Sequence, residues 1–271
     1  MHKPAVSVVM AEFNTNPIYL EESVASLVSQ TFRDIEIIIV DDGGTTDLAG
    51  ICARFKDPRI RILASEGNRG LVHSLNRGIG AARASHIVRM DTDDVASPCR
   101  IERIYRFAVE NPEYAVVGSL AIEFSDRQGT GRILGRSGEK FAKNIMRGDV
   151  PIHPSVIFKR KDIVEVGLYD DYNRAEDLAL WCKLLLAGKR IFIMDDILLN
   201  YRVNPEDYQK RSLKHRRGEI KARAFYYPKL GAKAFDYLYV VKPIVAGALP
   251  AKLIMGLRNR FILGKKRNPV R

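Results

Sequence analysis

Short unbroken apolar runs alternate with segments of helical spacing through the first half of the chain. Val6–Met10 is apolar and rich in valine, the pattern of a buried strand. In Pro17–Ser29 the residues Leu20, Val24, Leu27 and Val28 share a helical face, and Pro17 suits a first turn. Ile35–Val40 reads as a second buried strand, stopped by Asp41-Asp42-Gly43-Gly44. Thr45–Phe55 predicts a helix, Ile60–Leu63 a short strand, and Leu71–Ala84 a helix with Leu71, Leu75, Ile79 and Ala82 inward. His86–Met90 is a further strand, followed by acidic residues and a helix from near Ser97-Pro98 to about Glu110. Near-continuous apolar strands alternating with helices predict an α/β fold, a mostly parallel sheet covered on both faces. Such sheets bind ligands beyond the carboxyl ends of their strands. Asn14, Asp41, Asp42, Asp91, Asp93 and Asp94 all follow predicted strands, so they are expected to converge on one crevice.

The second half is more mixed. Tyr114–Phe124 is strand-like, and Ser125–Glu139 is Gly-rich and polar, a loop or hairpin. Ser155–Phe158, Ile191–Met194 and Leu198–Val203 read as strands, and Glu176–Ala187 as a helix with Leu180, Leu184 and Leu185 inward.

Composition sharpens this picture in two places. The three cysteines, Cys52, Cys99 and Cys182, lie far apart, which argues against a zinc site or disulfide framework and suits a reducing compartment. No signal-peptide pattern precedes Val6. Charge is unevenly placed: residues 210–271 hold 17 of the 44 Lys and Arg but only 2 of the 32 acids. The body, residues 1–209, is near neutral, and the excess of +12 is a property of the last quarter. This predicts a domain over 1–209, with a nucleotide-binding half to about 120 and an acceptor-side half over 121–209, followed by a basic extension over 210–271.

Asp91, Asp93 and Asp94 carry the clearest chemistry. Three carboxylates at the end of a buried strand need a positive partner, and hard oxygen ligands suit Mg²⁺ or Mn²⁺ bound to a phosphate ester. The alternative is a solvated acidic turn ahead of the next helix. Asn68-Arg69-Gly70 precedes a predicted helix, so its backbone amides and Arg69 suit a phosphate, or Gly70 serves only tight packing.

Several motifs recur in order: Ser7-Val8-Val9-Met10 leading to Phe13-Asn14, Ser29-Gln30-Thr31-Phe32, Val40-Asp41-Asp42-Gly43, and Asn68-Arg69-Gly70-Leu71 through Gly78-Ile79. They continue with Arg89-Met90-Asp91-Thr92-Asp93-Asp94, His153-Pro154-Ser155, Glu176-Asp177 before Leu180-Trp181, and Tyr201-Arg202. Together they make the chain resemble the family 2 glycosyltransferases of the GT-A fold, in the branch that builds bacterial surface polysaccharides. The match runs from about Val6 to Val203.

The resemblance implies roles. Ala11, Phe13 and Asn14 would flank base and ribose, Asp42 would accept a hydrogen bond from the nucleobase, and Asp41 would belong to the same nucleotide-sugar site. Asp91 and Asp93 would contact the nucleotide sugar, and Asp93 or Asp94 would hold the Mn²⁺ or Mg²⁺ that bridges the diphosphate. Asp177 would be the base of an inverting transfer, with a modestly raised pKa and Glu176 in support. His153 and Trp181 would lie on the acceptor side, Trp181 as a sugar-stacking wall or as core. Two departures stand out: the usual Asp-Asp-Gly-Ser-Thr-Asp is here Asp-Asp-Gly-Gly-Thr-Thr-Asp, and Glu12 is unusual before Phe13-Asn14.

The basic extension interleaves cations with apolar residues, and its longest uncharged apolar run, Pro243–Ala251, is too short to span a bilayer. It reads as amphipathic helices lying on an anionic membrane surface, or as a solvated basic helical appendage, and no nucleic-acid motif accompanies it. The resulting expectation is a cytoplasmic enzyme, peripheral on the inner face of the membrane. It would move a sugar from a UDP- or dTDP-linked donor to a lipid-linked saccharide, with room for a homo-oligomer. Alternatives are transfer to a polyprenyl phosphate, a non-catalytic nucleotide-sugar binder, and a nucleotidyltransferase. The last is disfavoured because no Gly-rich triphosphate loop follows the first strand.

Overall fold

The computed structural model describes residues 3–125, 129–203 and 213–241. The elements run β1 (Val6–Glu12), α1 (Pro17–Val28), β2 (Ile35–Asp41), α2 (Leu48–Ala53), β3 (Ile60–Ala64), α3 (Leu71–Ala81), β4 (His86–Arg89) and β5 (Val95–Ala96). They continue α4 (Arg100–Glu110), β6 (Tyr114–Ser125), β7 (Gly129–Leu134), β8 (Gly138–Lys140), α5 (Ala142–Met146), β9 (Ile157–Lys159), α6 (Arg160–Glu165), α7 (Glu176–Leu186), β10 (Arg190–Arg202) and α8 (Leu213–Lys229).

Among the described residues the strands form one sheet in the order β3-β2-β1-β4-β9-β6-β10-β5, with β7 beside β6 and β8 beside β10. Pairs β1/β2, β1/β4, β2/β3 and β6/β10 are parallel. The expected parallel α/β sheet is present as β3-β2-β1-β4 and β6-β10, but β9 runs antiparallel between β4 and β6, and the short strands β5, β7 and β8 also pair antiparallel with their neighbours. Burial on both faces makes a strand apolar throughout in either direction, so the sequence pattern does not reveal its sense.

Alternate residues of the central strands feed two cores. Val9, Ile38, Val40 and Ile87 face one layer with α3 and α7, while Val8, Met10, Ile37, Ile39 and Val88 face the other with α1 and α4. Some elements differ from expectation. The helix expected over Thr45–Phe55 is only α2, because Asp47 caps it by accepting from the Gly50 amide. The two strands expected near Ile191 and Leu198 are one strand, β10, with register shifts between Ile193 and Leu199. The start of the region expected to be Ser155–Phe158 is a 3₁₀ turn, His153–Ser155.

The charge boundary at 209/210 does not coincide with a packing boundary. Ala222, Tyr226 and Tyr227 of α8 are buried in the same core as Leu180 and Trp181 of α7. Of the amphipathic extension expected over 210–271, residues 210–212 and 242–271 lie outside the described residues.

Candidate active site

β4 ends at Arg89, and the chain turns through Asp91-Thr92-Asp93-Asp94 into the short β5, which pairs with β10. The turn is held from several sides. Ser23 Oγ donates to the Asp91 carbonyl at 3.0 Å, and the hydroxyls of Thr92 and Thr15 meet at 2.7 Å. From β10, the Arg202 amide donates to Asp94 Oδ1 at 2.8 Å and Arg202 Nε donates to the Asp93 carbonyl at 2.8 Å. The Arg202 guanidinium also pairs with Glu22 and lies over the Tyr19 and Phe124 rings.

Within this turn one carboxylate oxygen from each of Asp91, Asp93 and Asp94 lies within 4.8 Å of the others. Asp94 Oδ2 is buried without a hydrogen-bond partner among the described residues. Burial, then the charges of Asp91 and Asp93, push the Asp94 carboxyl well above the usual carboxylate range. An orphaned oxygen and crowded like charges fit a divalent cation held by carboxylates.

Behind the turn lies a buried arginine that the motifs alone left without a role. Arg89 is 3% exposed and donates to Asp91 Oδ1 at 2.5 Å, while its Nε and one terminal nitrogen have no hydrogen-bond partner among the described residues. Arg100, fully buried in α4, braces the same strand end by donating to the carbonyls of Arg89 and Pro154. A charged residue at the end of an otherwise apolar strand was the available signal for Arg89.

A cavity of about 1030 Å³ opens beside this turn. Its lining includes Asp91, Arg89, Arg69, Gly70, His153, Glu176 and Asp177. Residues separated by much of the chain are thus brought together: the strand-end aspartate, the loop before α3, and the first turn of α7. Asp177 is partly exposed to the cavity, and its Oδ1 accepts from the Leu178 amide at 2.7 Å. Burial first, then the neighbouring Glu176 charge, raises the Asp177 pKa to about 7, further than the modest rise expected. The loop ahead of it holds Asn173 and Arg174 at φ 35 and 67, left-handed values uncommon for such residues. Asn76 of α3 secures that loop by exchanging hydrogen bonds with the Tyr169 backbone at 2.9 and 3.0 Å.

Other predicted residues sit differently. Trp181 is completely buried in the core, so the sugar-stacking alternative does not hold. His153 is buried at the cavity wall, its Nε2 hydrogen-bonded to Tyr169 Oη at 2.8 Å. Burial, then the Arg89 charge, holds the imidazole well below its ordinary pKa, so it is neutral at pH 7. Asp42 is buried, and its carboxylate accepts from the amides of Arg69 at 3.0 Å and Gly70 at 2.8 Å and from Ser74 Oγ at 2.8 Å. Internal donors therefore satisfy Asp42 without a nucleobase, and the amides expected to meet a phosphate are already engaged. Asp41, by contrast, is partly exposed and accepts from the Gly43 amide.

Ala11, Phe13, Asn14 and Asp41 lie at the adjacent ends of β1 and β2, outside the cavity lining. Phe13 is exposed, and Asn14 Oδ1 accepts from the Thr45 amide and hydroxyl. A Cβ on Gly44 would stand 2.8 Å from the Asn14 amide, which accounts for glycine where serine is usual. Glu12 is buried and raised in pKa by that burial, and it accepts from the Thr15 amide within the same loop.

Comparison with known proteins agrees with this architecture. A UDP-Gal:alpha-D-GlcNAc-diphosphoundecaprenol beta-1,3-galactosyltransferase of Escherichia coli is 30% identical over 83% of this chain and 84% of its own. An uncharacterized glycosyltransferase of Methanocaldococcus jannaschii is 31% identical over 80% of this chain and 77% of its own. The mannosyltransferase PcManGT from Pyrobaculum calidifontis, solved with GDP-Man and Mn²⁺, shares the fold at a TM-score of 0.67 and 18% identity, over 97% of this chain and 81% of that one. The glycosyl transferase family 2 model matches residues 7–165, more than half the chain, and the strand-end aspartates beside the cavity lie within that match: the protein belongs to glycosyl transferase family 2.

Proposed function

We propose that this glycosyltransferase is inverting and metal-dependent, moving a sugar from a UDP- or dTDP-linked donor to a lipid-linked saccharide in surface-polysaccharide assembly. The observation that carries the reading is the shared cavity of Asp91 and Asp177. Asp91, one of the three carboxylates suited to a metal, and Asp177, a carboxyl of raised pKa, both line it, which supports the reading. The substrate of the E. coli relative, named as a GlcNAc-diphosphoundecaprenol, supports the acceptor class.

Asp91, Asp93 and Asp94 would hold a divalent ion, which when bound neutralises charge on the departing diphosphate. Arg89 holds Asp91 in place from behind. Asp41, the accessible acid of its pair, accepts from the base, and Phe13 packs against the ring. Asp177 takes the proton from the acceptor hydroxyl as that oxygen bonds to the anomeric carbon. The bond from that carbon to the diphosphate oxygen breaks, and its electron pair leaves with the nucleotide. A base whose pKa lies near 7 is half ionised at neutral pH and still strong enough to accept the proton. Glu176, which also lines the cavity, contacts the acceptor.

Association with the inner face of the membrane belongs to the same proposal. No helix among the described residues is long and apolar enough to cross a bilayer. Phe225, Phe235, Leu238 and Val241 are exposed on a stretch that also carries Lys229 and Lys233, a composition suited to an anionic lipid surface.

Thermal stabilisation by UDP, dTDP, GDP and CDP, each with and without Mn²⁺, tests the donor reading. Strong stabilisation by one uridine or thymidine diphosphate, dependent on metal, is expected. Stabilisation by none of them, in folded protein, would rule it out.

A further inference from the structure

The cavity has a second charged feature that the transfer chemistry does not use. The stretch from β7 to α5 contributes Arg132, Arg136 and Arg147 to its lining. The acids beside them are already neutralised: Glu123 pairs with Arg132 at 3.2 Å, and Asp149 pairs with the buried Lys140 at 3.0 Å. Arg136 is exposed and has no ion-pair or hydrogen-bond partner among the described residues. Among the described residues Arg147 pairs with Asp236 alone, through Nε at 3.6 Å, longer than a charge-assisted hydrogen bond. Gly135, at φ 88, turns the chain here, and a Cβ on it would meet Ile152 and Leu120 side chains at 3.2 Å. That tight turn packs Gly135 against Ile152, and Arg136, next in the chain, lines the same cavity as Ile152.

The cavity lining therefore carries charges of both signs. In the proposed reaction the donor diphosphate is met at Asp91 through a metal, and Asp177 and Glu176 meet the acceptor. Arg136 and Arg147 have no role in that scheme. We propose that Arg136 and Arg147 bind a phosphate or diphosphate carried by the acceptor. Guanidinium forks suit this group because two parallel N–H donors match two phosphate oxygens. The inference rests on the proposed transfer reaction and adds the place where the acceptor is anchored. Asp236, the partner of Arg147, lies in the 3₁₀ segment Ala234–Tyr237, which exposes Phe235 at 61%. A prenyl chain on a phosphate at Arg147 would thus find apolar surface close by.

The test uses the full chain loaded with saturating UDP and Mg²⁺, so that the donor site is filled. Binding of farnesyl diphosphate and of inorganic pyrophosphate is measured by calorimetry for wild type, for the Arg136→Gln/Arg147→Gln variant and for Arg136→Lys. Wild type is expected to bind both probes, farnesyl diphosphate the more tightly. The double variant should lose about 10- to 100-fold affinity for both with UDP affinity unchanged, and Arg136→Lys should lose less. Equal binding of the two probes would assign a soluble phosphate in place of a lipid and keep the phosphate anchor. Failure of loaded wild type to bind either probe, or undiminished binding by the double variant, overturns the proposal. If no nucleoside diphosphate binds with metal, the donor reading fails by itself. The same probes, measured without nucleotide, then still decide the role of the arginines.

Discussion

The backbone amide of Arg202 donates to Oδ1 of Asp94 at 2.8 Å, joining the last strand of the sheet to the aspartate turn across 108 residues of sequence. The same residue holds Asp93 through its side chain and pairs with Glu22. Removing the side chain should loosen the turn while leaving the amide contact. Arg202→Met is expected to weaken Mn²⁺ binding about tenfold, the usual effect of losing a group that orients metal ligands. The lost hydrogen bonds and ring contacts should lower stability by about 2–3 kcal/mol. Calorimetric Mn²⁺ titration and urea unfolding measure the two effects, and an unchanged Mn²⁺ affinity would remove Arg202 from any role in shaping the site.

Asp177 gives a prediction with a definite sign. Its folded pKa of about 7 lies above the ordinary 3.8, so the folded protein holds this proton more tightly than the unfolded chain. Native stability from this group is therefore fully present below about 3.8, falls as pH rises through the interval to about 7, and levels off above it. Asp177→Asn removes the penalty and keeps an oxygen for the Leu178 amide, so its melting temperature at pH 8 should exceed that of wild type. Transfer should fall about 10²- to 10⁴-fold with donor affinity retained. In wild type, kcat/KM should rise with pH through a limb near pH 7. A variant that is less stable at pH 8, or still active, would contradict the assignment.

Asp42 separates a structural role from a reading role. Its carboxylate accepts from two amides and a hydroxyl at the start of α3. Asp42→Ala would orphan those donors and is expected to cost about 2–4 kcal/mol. The preference among nucleoside diphosphates should stay the same. Asp41→Asn should instead change that preference with little loss of stability. Equilibrium unfolding together with a panel of nucleotide affinities distinguishes the two, and a reversed pattern would restore Asp42 as the residue that reads the base.

Gly218 of α8 is a steric test of how the C-terminal helix supports the site. A Cβ there would lie 1.5 Å from the Tyr172 carbonyl oxygen, so even alanine must displace α8 or the loop that leads to Glu176. Tyr226 of the same helix donates to Asp170 Oδ2 at 2.9 Å, holding that loop from a second point. Gly218→Ala is expected to lower both stability and kcat, by about 1–3 kcal/mol in stability, with Mn²⁺ affinity unchanged. Thermal unfolding, steady-state rates and metal titration check this, and normal kcat would show that α8 does not support the loop.

Much of this molecule is written locally. The alternation of apolar runs with helical spacing predicts the layers because periodicity depends only on neighbours along the chain. Asp91, Asp93 and Asp94 follow a buried strand, and sheet topology alone carries such residues to the binding edge. The ordered motifs named the family for the same reason, since each is a short stretch whose identity needs no fold.

Tertiary structure decided what each side chain does there. Asp41 and Asp42 are identical and adjacent, yet one is enclosed by the start of α3 and the other is open. Trp181 lies one helical turn from Asp177, yet it is wholly buried while Asp177 faces the cavity. The raised pKa of Asp177 and the hold of Arg202 on Asp94 likewise depend on residues brought in by the fold. Burial, hydrogen-bond satisfaction and charge pairing belong to the surroundings of an atom, and only the folded chain brings those surroundings together.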